Sequence, residues 1–420
     1  MVPNGWKSIR LNQISETVTS GSRDWAQYYS DSGSKFIRMT NLPRDGIYLK
    51  LGDLKYVDVH SNSSDGKRTS LKAGDLLISI TAELGKIGWV PPELGEAYIN
   101  QHTALVRIKK ESADSKYIAY LLSSHAMNHK INRLNDSGAK AGLNLPTIRS
   151  IPMVLPPLPE QRKIAKILST WDKAIATTEK LVETSKQQKK ALMQQLLTGK
   201  KRLVNPDTGK AFEGDWEEVK LGDVCSKVTD GAHHSPKSVE YGYPMFSVKD
   251  MRATSFSENT ARHISEEDYQ ALVKQNCKPE LNDILIAKDG SILKYCFVVK
   301  EEVEGVILSS IALLRPKLNV ISPNFIAQYF SQESVRFFVG KALTSGSGVP
   351  RIILKDFKGI HLRIPSLLEQ QKIASVLTAS DKDIEVLEAK LAHFKQEKKA
   401  LMQQLLTGKR RVKVDDKEIA

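Results

Sequence analysis

Two long stretches of the chain carry apolar residues at alternating spacings of four and three. Ile164, Leu168, Trp171, Ile175, Thr178, Val182, Ser185, Lys189, Leu192 and Leu196 mark one stripe; Ile373, Leu377, Ser380, Ile384, Leu387, Leu391, Phe394, Lys398, Leu401 and Leu405 mark the other. A seam sustained over about five heptads predicts a coiled coil. Pro156, Pro157 and Pro159 predict an extended lead-in and a first turn, with Glu160 favouring the positive helix end. Gly199 and Gly408 stand where a C-terminal stop belongs. About 38 residues per helix give a rod of roughly 57 Å. The polar seam positions Thr178, Ser185, Lys189 and Lys398 are costly in a dry core. They are open to three readings: they fix the register of the pair, they mark where another protein's helices join, or they are ordinary solvent-facing irregularities.

The two stretches are copies. Lys189–Lys200 reads KKALMQQLLTGK, and the same twelve residues return at Lys398–Lys409. Upstream, Glu160-Gln-Arg-Lys-Ile-Ala returns as Glu369-Gln-Gln-Lys-Ile-Ala. A repeat this long means two domain-sized units in tandem, not a solenoid. The globular stretches before the helices correspond as well. Trp6-Lys-Ser-Ile-Arg-Leu matches Trp216-Glu-Glu-Val-Lys-Leu, each running on to a glycine, Gly21 and Gly231. Gly74-Asp-Leu-Leu-Ile-Ser matches Asn282-Asp-Ile-Leu-Ile-Ala, a turn and an Asp before a short apolar run that reads as a buried strand. Thr103-Ala-Leu-Val-Arg matches Ile311-Ala-Leu-Leu-Arg, a second strand. Between these anchors the halves diverge. The expected fold class is α+β: two tandem heads, 1–155 and 203–363, each followed by a helical segment, 156–202 and 364–420. The two helices are expected to pair antiparallel with pseudo-two-fold symmetry. The second lead-in, Ile364-Pro-Ser-Leu-Leu-Glu, lacks most of the prolines of Leu155-Pro-Pro-Leu-Pro-Glu and is expected to be less rigid.

A length of 420 residues fits two or three domains, and a net charge of +14 points to a polyanionic partner, nucleic acid before membrane surface. No apolar run approaches the ~20 residues of a bilayer span, and the first residues lack the apolar stretch of a secretory leader. Cys225, Cys277 and Cys296 show no paired spacing. Neither a disulfide framework nor a zinc site is suggested, and a reducing cytoplasm is the expected compartment.

The tryptophan-led opening of each half, the Asp-Ile/Leu-Leu strand, and above all the lead into E-Q-[RQ]-K-I-A ending in A-L-M-Q-Q-L-L-T-G-K resemble the specificity subunits of type I restriction–modification systems. The resemblance covers essentially the whole chain. It implies that each head is a target-recognition domain for double-stranded DNA and that the helices pair antiparallel as a spacer. It implies that two methyltransferase subunits dock on the helical region and that two ATP-dependent restriction–translocase subunits complete the complex. It also implies a prokaryotic cytoplasmic protein without catalytic residues or cofactor of its own. S-adenosylmethionine, ATP and Mg²⁺ belong to the partner subunits.

Residue chemistry agrees. There is no G-x-x-x-x-G-K-[ST] phosphate loop and no Gly-rich dinucleotide loop after a strand. Pro206-Asp207 with Glu218-Val-Lys220 has the outline of a metal-dependent nuclease, but it opens in a turn-like Asn-Pro-Asp-Thr-Gly segment, and the first head has Ser8-Ile-Arg10 in place of Glu-Val-Lys. His233-His234 has no carboxylate or thiol at ligand spacing. The expected base readers lie in the divergent loops: Arg23, Lys35, Arg38, Asn41, Lys67 and Arg68 in the first head, and His233, His234, Lys237, Lys249, Arg252, Lys288 and Arg351 in the second. These side chains suit the donors and acceptors of the major groove. Gly346-Ser-Gly-Val-Pro-Arg351 and its loose counterpart Ala139-Lys-Ala-Gly142 are expected to offer backbone N–H groups to phosphate. The basic, Gln-rich run Lys186–Arg202 fits either DNA phosphates or a solvated face toward the methyltransferase.

Overall fold

Each head is built on a four-stranded antiparallel sheet with a central strand that begins at a buried aspartate. The computed structural model describes residues 2–23, 25–59, 63–134, 142–345 and 350–414. In the first head the strand order is Ser15–Ser20, Thr103–Ile108, Leu76–Ser79, Ile87–Trp89. In the second it is Cys225–Asp230, Ile311–Pro316, Ile284–Ala287, Cys296–Val298. Both anchor pairs expected as strands are the two middle strands.

The aspartates explain why those strands start where they do. Gly74 and Asn282 take positive φ values of 88° and 70° and turn the chain. Asp75 then accepts the backbone N–H of Lys72 at 2.7 Å and the guanidinium of Arg107 at 2.8 and 2.6 Å. Asp283 repeats this with the N–H of Glu280 at 2.8 Å and Arg315 at 2.8 and 2.9 Å. A forked charge-assisted pair across neighbouring strands sets their register. A smaller second sheet completes each head. It has four strands around Ser34–Ile37 in the first and three around Tyr243–Phe246 in the second. The two ends of each head meet in an antiparallel ribbon, Lys7–Arg10 with Pro152–Leu155 and Glu217–Lys220 with His361–Ile364.

The heptad stretches are helices, Leu158–Leu196 and Leu367–Leu405, of 39 residues each. The chain divides into two units, Met1–Thr178 with Lys390–Ala420, and Glu179–Ala389. Each unit thus holds one head, the first half of its own helix and the last half of the other helix. Within the first unit Trp171 meets Phe394 edge-on at 5.6 Å, Asp172 pairs with Lys398 at 2.5 Å, and Glu160 takes Arg411 at 2.7 Å through both oxygens. Within the second, Lys186 pairs with Glu388 at 2.6 Å, Lys189 with Asp381 at 2.6 Å, and Arg202 forks onto Glu369 at 2.7 Å. Rising numbers on one helix meet falling numbers on the other, so the segments run antiparallel. None of the seam residues is exposed. Lys189 and Lys398 are each neutralised by an aspartate of the opposite helix, which supports the register-fixing reading of these positions.

The repeated motifs are joints between helix and head. Gln161 accepts the N–H of Asp114 at 3.0 Å and donates to the Pro156 carbonyl at 2.8 Å. Gln370 does the same with Ser322 at 2.9 Å and Pro365 at 2.9 Å. Ile164, Ala165 and Leu168, together with Leu405 and Leu406, enter the core of the first head. Ile373, Ala374 and Leu377, together with Leu196 and Leu197, enter that of the second. Gly199 and Gly408, both at φ 71°, end the helices and lie against Trp216 and Trp6. A side chain at either position would meet the indole, and the left-handed φ adds strain. The missing prolines of the second lead-in do not alter its course. The helix starts at the equivalent residue, and the same glutamine holds the preceding proline carbonyl.

The Glu369 carboxylate is fully buried, whereas the Arg202 guanidinium keeps 23% of its exposure. Arg202→Met strands a buried charge. Stability is expected to fall by about 2–3 kcal/mol in urea unfolding, below the roughly 3–5 of a fully enclosed pair because water reaches the guanidinium. Arg202→Met with Glu369→Met is expected to recover most of that loss.

Candidate nucleic-acid interface

The divergent loops gather at one edge of each four-stranded sheet. Strands Ser15–Ser20 and Leu76–Ser79 end there, and Thr103–Ile108 begins there. Gly21 follows the first of these. A Cβ on it would lie 2.1 Å from the Asn100 carbonyl oxygen, and one on Gly231 would lie 1.9 Å from that of Ile307. Only glycine lets the two segments pass this closely. Both glycines flagged in the sequence therefore bring a loop, Ser22-Arg23 or Ala232-His233, across the sheet edge.

In the first head, Arg23, Arg68, Thr81, Gln101 and His102 line one concave surface with Ser20, Ser22 and Asp65. Asp65, Lys67 and Arg68 ride on helix Ser64–Thr69, whose N-cap Ser63 accepts the Gly66 N–H at 3.0 Å. Arg68 donates to the Ser22 hydroxyl at 2.6 Å, and that hydroxyl donates to the Asp65 carboxylate. Across the surface the Thr81 hydroxyl is 2.9 Å from His102 Nδ1, and Gln101 lies beside the same imidazole. Lys67 and Arg23 are exposed at the rim.

The second head places different chemistry at the same points. The N–H of Lys288 donates to the Ser310 carbonyl at 3.0 Å, as that of Ile80 does to His102 at 3.1 Å. Ser309, Ser310 and Asp289 thus occupy the positions of Gln101, His102 and Thr81. The Lys288 ammonium is buried between Asp230 at 3.3 Å and Asp289 at 3.4 Å. Asp289 also takes the exposed Arg351 at 3.3 Å, and Asp230 takes His233 at 3.1 Å. The second edge is a chain of alternating charges, whereas the first presents arginines, an amide and an imidazole. His234 and Lys237 extend, exposed, from the same loop.

Three expected readers hold the fold together. Asn41 is buried; its amide donates to the carbonyls of Lys50 at 2.9 Å and Asp53 at 3.0 Å and accepts the Arg38 N–H at 2.9 Å. With both donors committed it caps a turn, as its counterpart Asp250 does for Ser247. Lys35 donates to the Leu94 carbonyl, and Lys288 is enclosed by its two aspartates. Arg38 pairs with Asp53 at 3.1 Å, Arg252 folds back on the carbonyls of Lys249 and Met251, both at 2.9 Å, and Lys249 is exposed. Gln101, His102, Asp65 and Asp230 escaped the sequence reading. For all but Asp65 the signal was present: they border the matched strands, where the two halves stop agreeing. Residues 139–141 and 346–349 of the expected phosphate loops lie outside the described residues.

The arrangement can donate and accept hydrogen bonds. Asp207 sits in the expected turn, its N–H on Asn205 at 2.9 Å, and Glu218 is held by His361 at 2.8 Å. Among the described residues no group of three His, Cys, Asp or Glu is placed to hold a metal ion, and no helix is long and apolar enough to cross a membrane. Cys225 is buried away from the edge, and burial pushes its thiol up to about 12.

This duplicated scaffold matches a known one. The family model described as the type I restriction modification DNA specificity domain matches twice, over residues 3–184 and 213–396. The chain belongs to that family. It is a specificity subunit, a non-catalytic DNA-recognition component of a type I restriction–modification system, as the sequence motifs implied. Similar proteins include the provisionally named MjaX specificity subunit of Methanocaldococcus jannaschii, 26% identical over 98% of this chain and 95% of its own length. The MjaVIII specificity subunit of the same organism is 24% identical over 92% of this chain and 98% of its own. The crystal structure of a type I S subunit from M. genitalium shares the fold with TM-score 0.62, at 13% identity over 95% of this chain and 96% of that one.

Burial separates fold residues from rim residues at the edge of each sheet. Lys288→Met removes the buried cation between Asp230 and Asp289, leaving them only the exposed His233 and Arg351, and is expected to lower stability by about 3 kcal/mol. Asn41→Ala strands two carbonyls and is expected to cost about 2 kcal/mol. Arg23→Ala is expected to stay within about 0.5 kcal/mol. Urea unfolding of the three variants checks the order.

Proposed function

We propose that this specificity subunit reads a split, asymmetric duplex target. The block read by the target-recognition domain 1–155 differs from the block read by 203–363, and the paired helices set the gap between them. The observation that carries this reading is the pair of sheet edges. The same strands deliver loops to the same place, yet one edge presents Arg23, Arg68, Gln101 and His102 while the other presents His233 and Arg351 over the paired carboxylates of Asp230 and Asp289. Arginine suits guanine acceptors, an amide suits adenine, and a carboxylate suits the cytosine amino group. The net charge of +14 supplies the affinity that does not depend on sequence. The segments 156–202 and 364–420 dock two methyltransferase subunits, and two restriction–translocase subunits complete the assembly. S-adenosylmethionine, ATP and Mg²⁺ serve those partners, in the cytoplasm of a prokaryote. In support, each helix begins in one unit and ends in the other, so both ends of the spacer are anchored.

The deciding experiment is a selection from a randomised duplex pool at near-physiological salt, using this chain co-purified with its methyltransferase subunit. Two short fixed blocks with a constant gap are expected, and exchanging one head is expected to change one block only. A folded complex that enriches no sequence overturns the reading. Within the first block, Arg68→Ala is expected to cost about 1–3 kcal/mol and to relax one position. Lys67→Ala is expected to weaken all sequences alike and to lower the salt slope by about one.

A further inference from the structure

Helix Glu333–Ala342 in the second head turns Val335, Val339 and the following Leu343 toward the core and leaves Phe337 and Phe338 at 69% and 61% exposure. Scattered surface apolar residues need no explanation, but two adjacent phenylalanines this open on one helix do. Their surroundings are cationic. The Lys341 ammonium lies 5.8 Å over the Phe337 ring, one turn away on the same face, and Arg336 precedes them. Glu333, the helix's one carboxylate, is held by Lys190 at 2.6 Å. An aromatic beside a cation on an exposed helix suits a base and its phosphate.

The helix is tied to the proposed DNA-reading edge by main-chain hydrogen bonds. Directly after it, Thr344–Ser345 pairs antiparallel with Arg351–Ile352, and the N–H of Ile352 donates to the Lys288 carbonyl at 3.0 Å. In the first head, helix His125–Arg133 holds the corresponding place and carries exposed His129 and Lys130 where the second has the phenylalanines. The wedge is therefore a property of one head.

We propose that the Phe337–Lys341 face is a duplex-opening contact. Lys341 takes a backbone phosphate, and Phe337 presses into a base step bordering the second head's block and unstacks it. Phe338, about 100° round the helix, covers the adjoining sugars. The proposal rests on the reading of this chain as a DNA-binding specificity subunit. It makes the second block sensitive to how easily its border step unstacks, a preference exerted without hydrogen bonds to that step.

The test uses the complex with the methyltransferase subunit and its selected target, with 2-aminopurine placed at the border of either block. With the unaltered complex, fluorescence is expected to rise on binding at the border of the second block and to stay flat at the first. Phe337→Ser with Phe338→Ser is expected to abolish the rise and to weaken binding roughly tenfold, within the range of one lost base–aromatic stack. Phe337→Trp, which keeps a stacking face, is expected to retain both. Unchanged affinity and fluorescence in the serine variant, with the complex intact, overturns the wedge and leaves the bipartite reading standing. Loss of methyltransferase from the serine variant, with the chain still folded, overturns it too and makes this face a protein contact. An unaltered complex that selects no sequence refutes the underlying reading instead.

Discussion

The arrangement hangs on a charge pair used twice: the first turn of one long helix holds the end of the other through Glu160 with Arg411 and Glu369 with Arg202. An apolar pair of equal volume would match such a contact in stability but would tolerate sliding. A forked carboxylate–guanidinium pair accepts one register. Lys398 with Asp172 and Lys189 with Asp381 repeat the constraint along the seam. The register chosen by these four pairs places Leu405-Leu406 and Leu196-Leu197 where the heads have room for them.

That constraint accounts for the distribution of identity along the chain. The helix motifs are copied residue for residue because each end must fit the same socket: a tryptophan, a glycine at left-handed φ, and a glutamine that reaches back to a proline carbonyl and out to a head loop. The heads keep only what builds the socket and the central sheet, the turn–Asp–strand unit and its arginine. Between these anchors the two halves diverge, the loops beside Gly21 and Gly231 included.

The two edges differ in the kind of electrostatics they offer. In the first, Arg68 is oriented by Ser22 and Asp65 and stays half in solvent. In the second, a buried lysine holds two carboxylates in place, and Arg351 and His233 close over them. Readout of bases needs rigid donors and acceptors, because each rotamer frozen on binding subtracts from discrimination. Both edges supply that rigidity from ion pairs within the protein.

Sequence alone settled the parts whose information is periodic or repeated. The heptads specified two helices, the proline and glycine positions bounded them, and the displaced copies revealed two heads with a shared sheet. The family was legible from the same motifs, since a joint that must fit one socket leaves little room to drift. Only the tertiary structure decided which polar residues face outward. Asn41 and Lys288 look like readers in a string of letters, yet burial and committed hydrogen bonds make them fold residues. Gln101 and His102 look unremarkable there, yet one sheet edge presents them together with Arg23 and Arg68. Side-chain exposure depends on contacts between residues far apart in the chain, and no local pattern encodes it. That is why the scaffold could be read directly, while the candidate reading surface had to be seen folded.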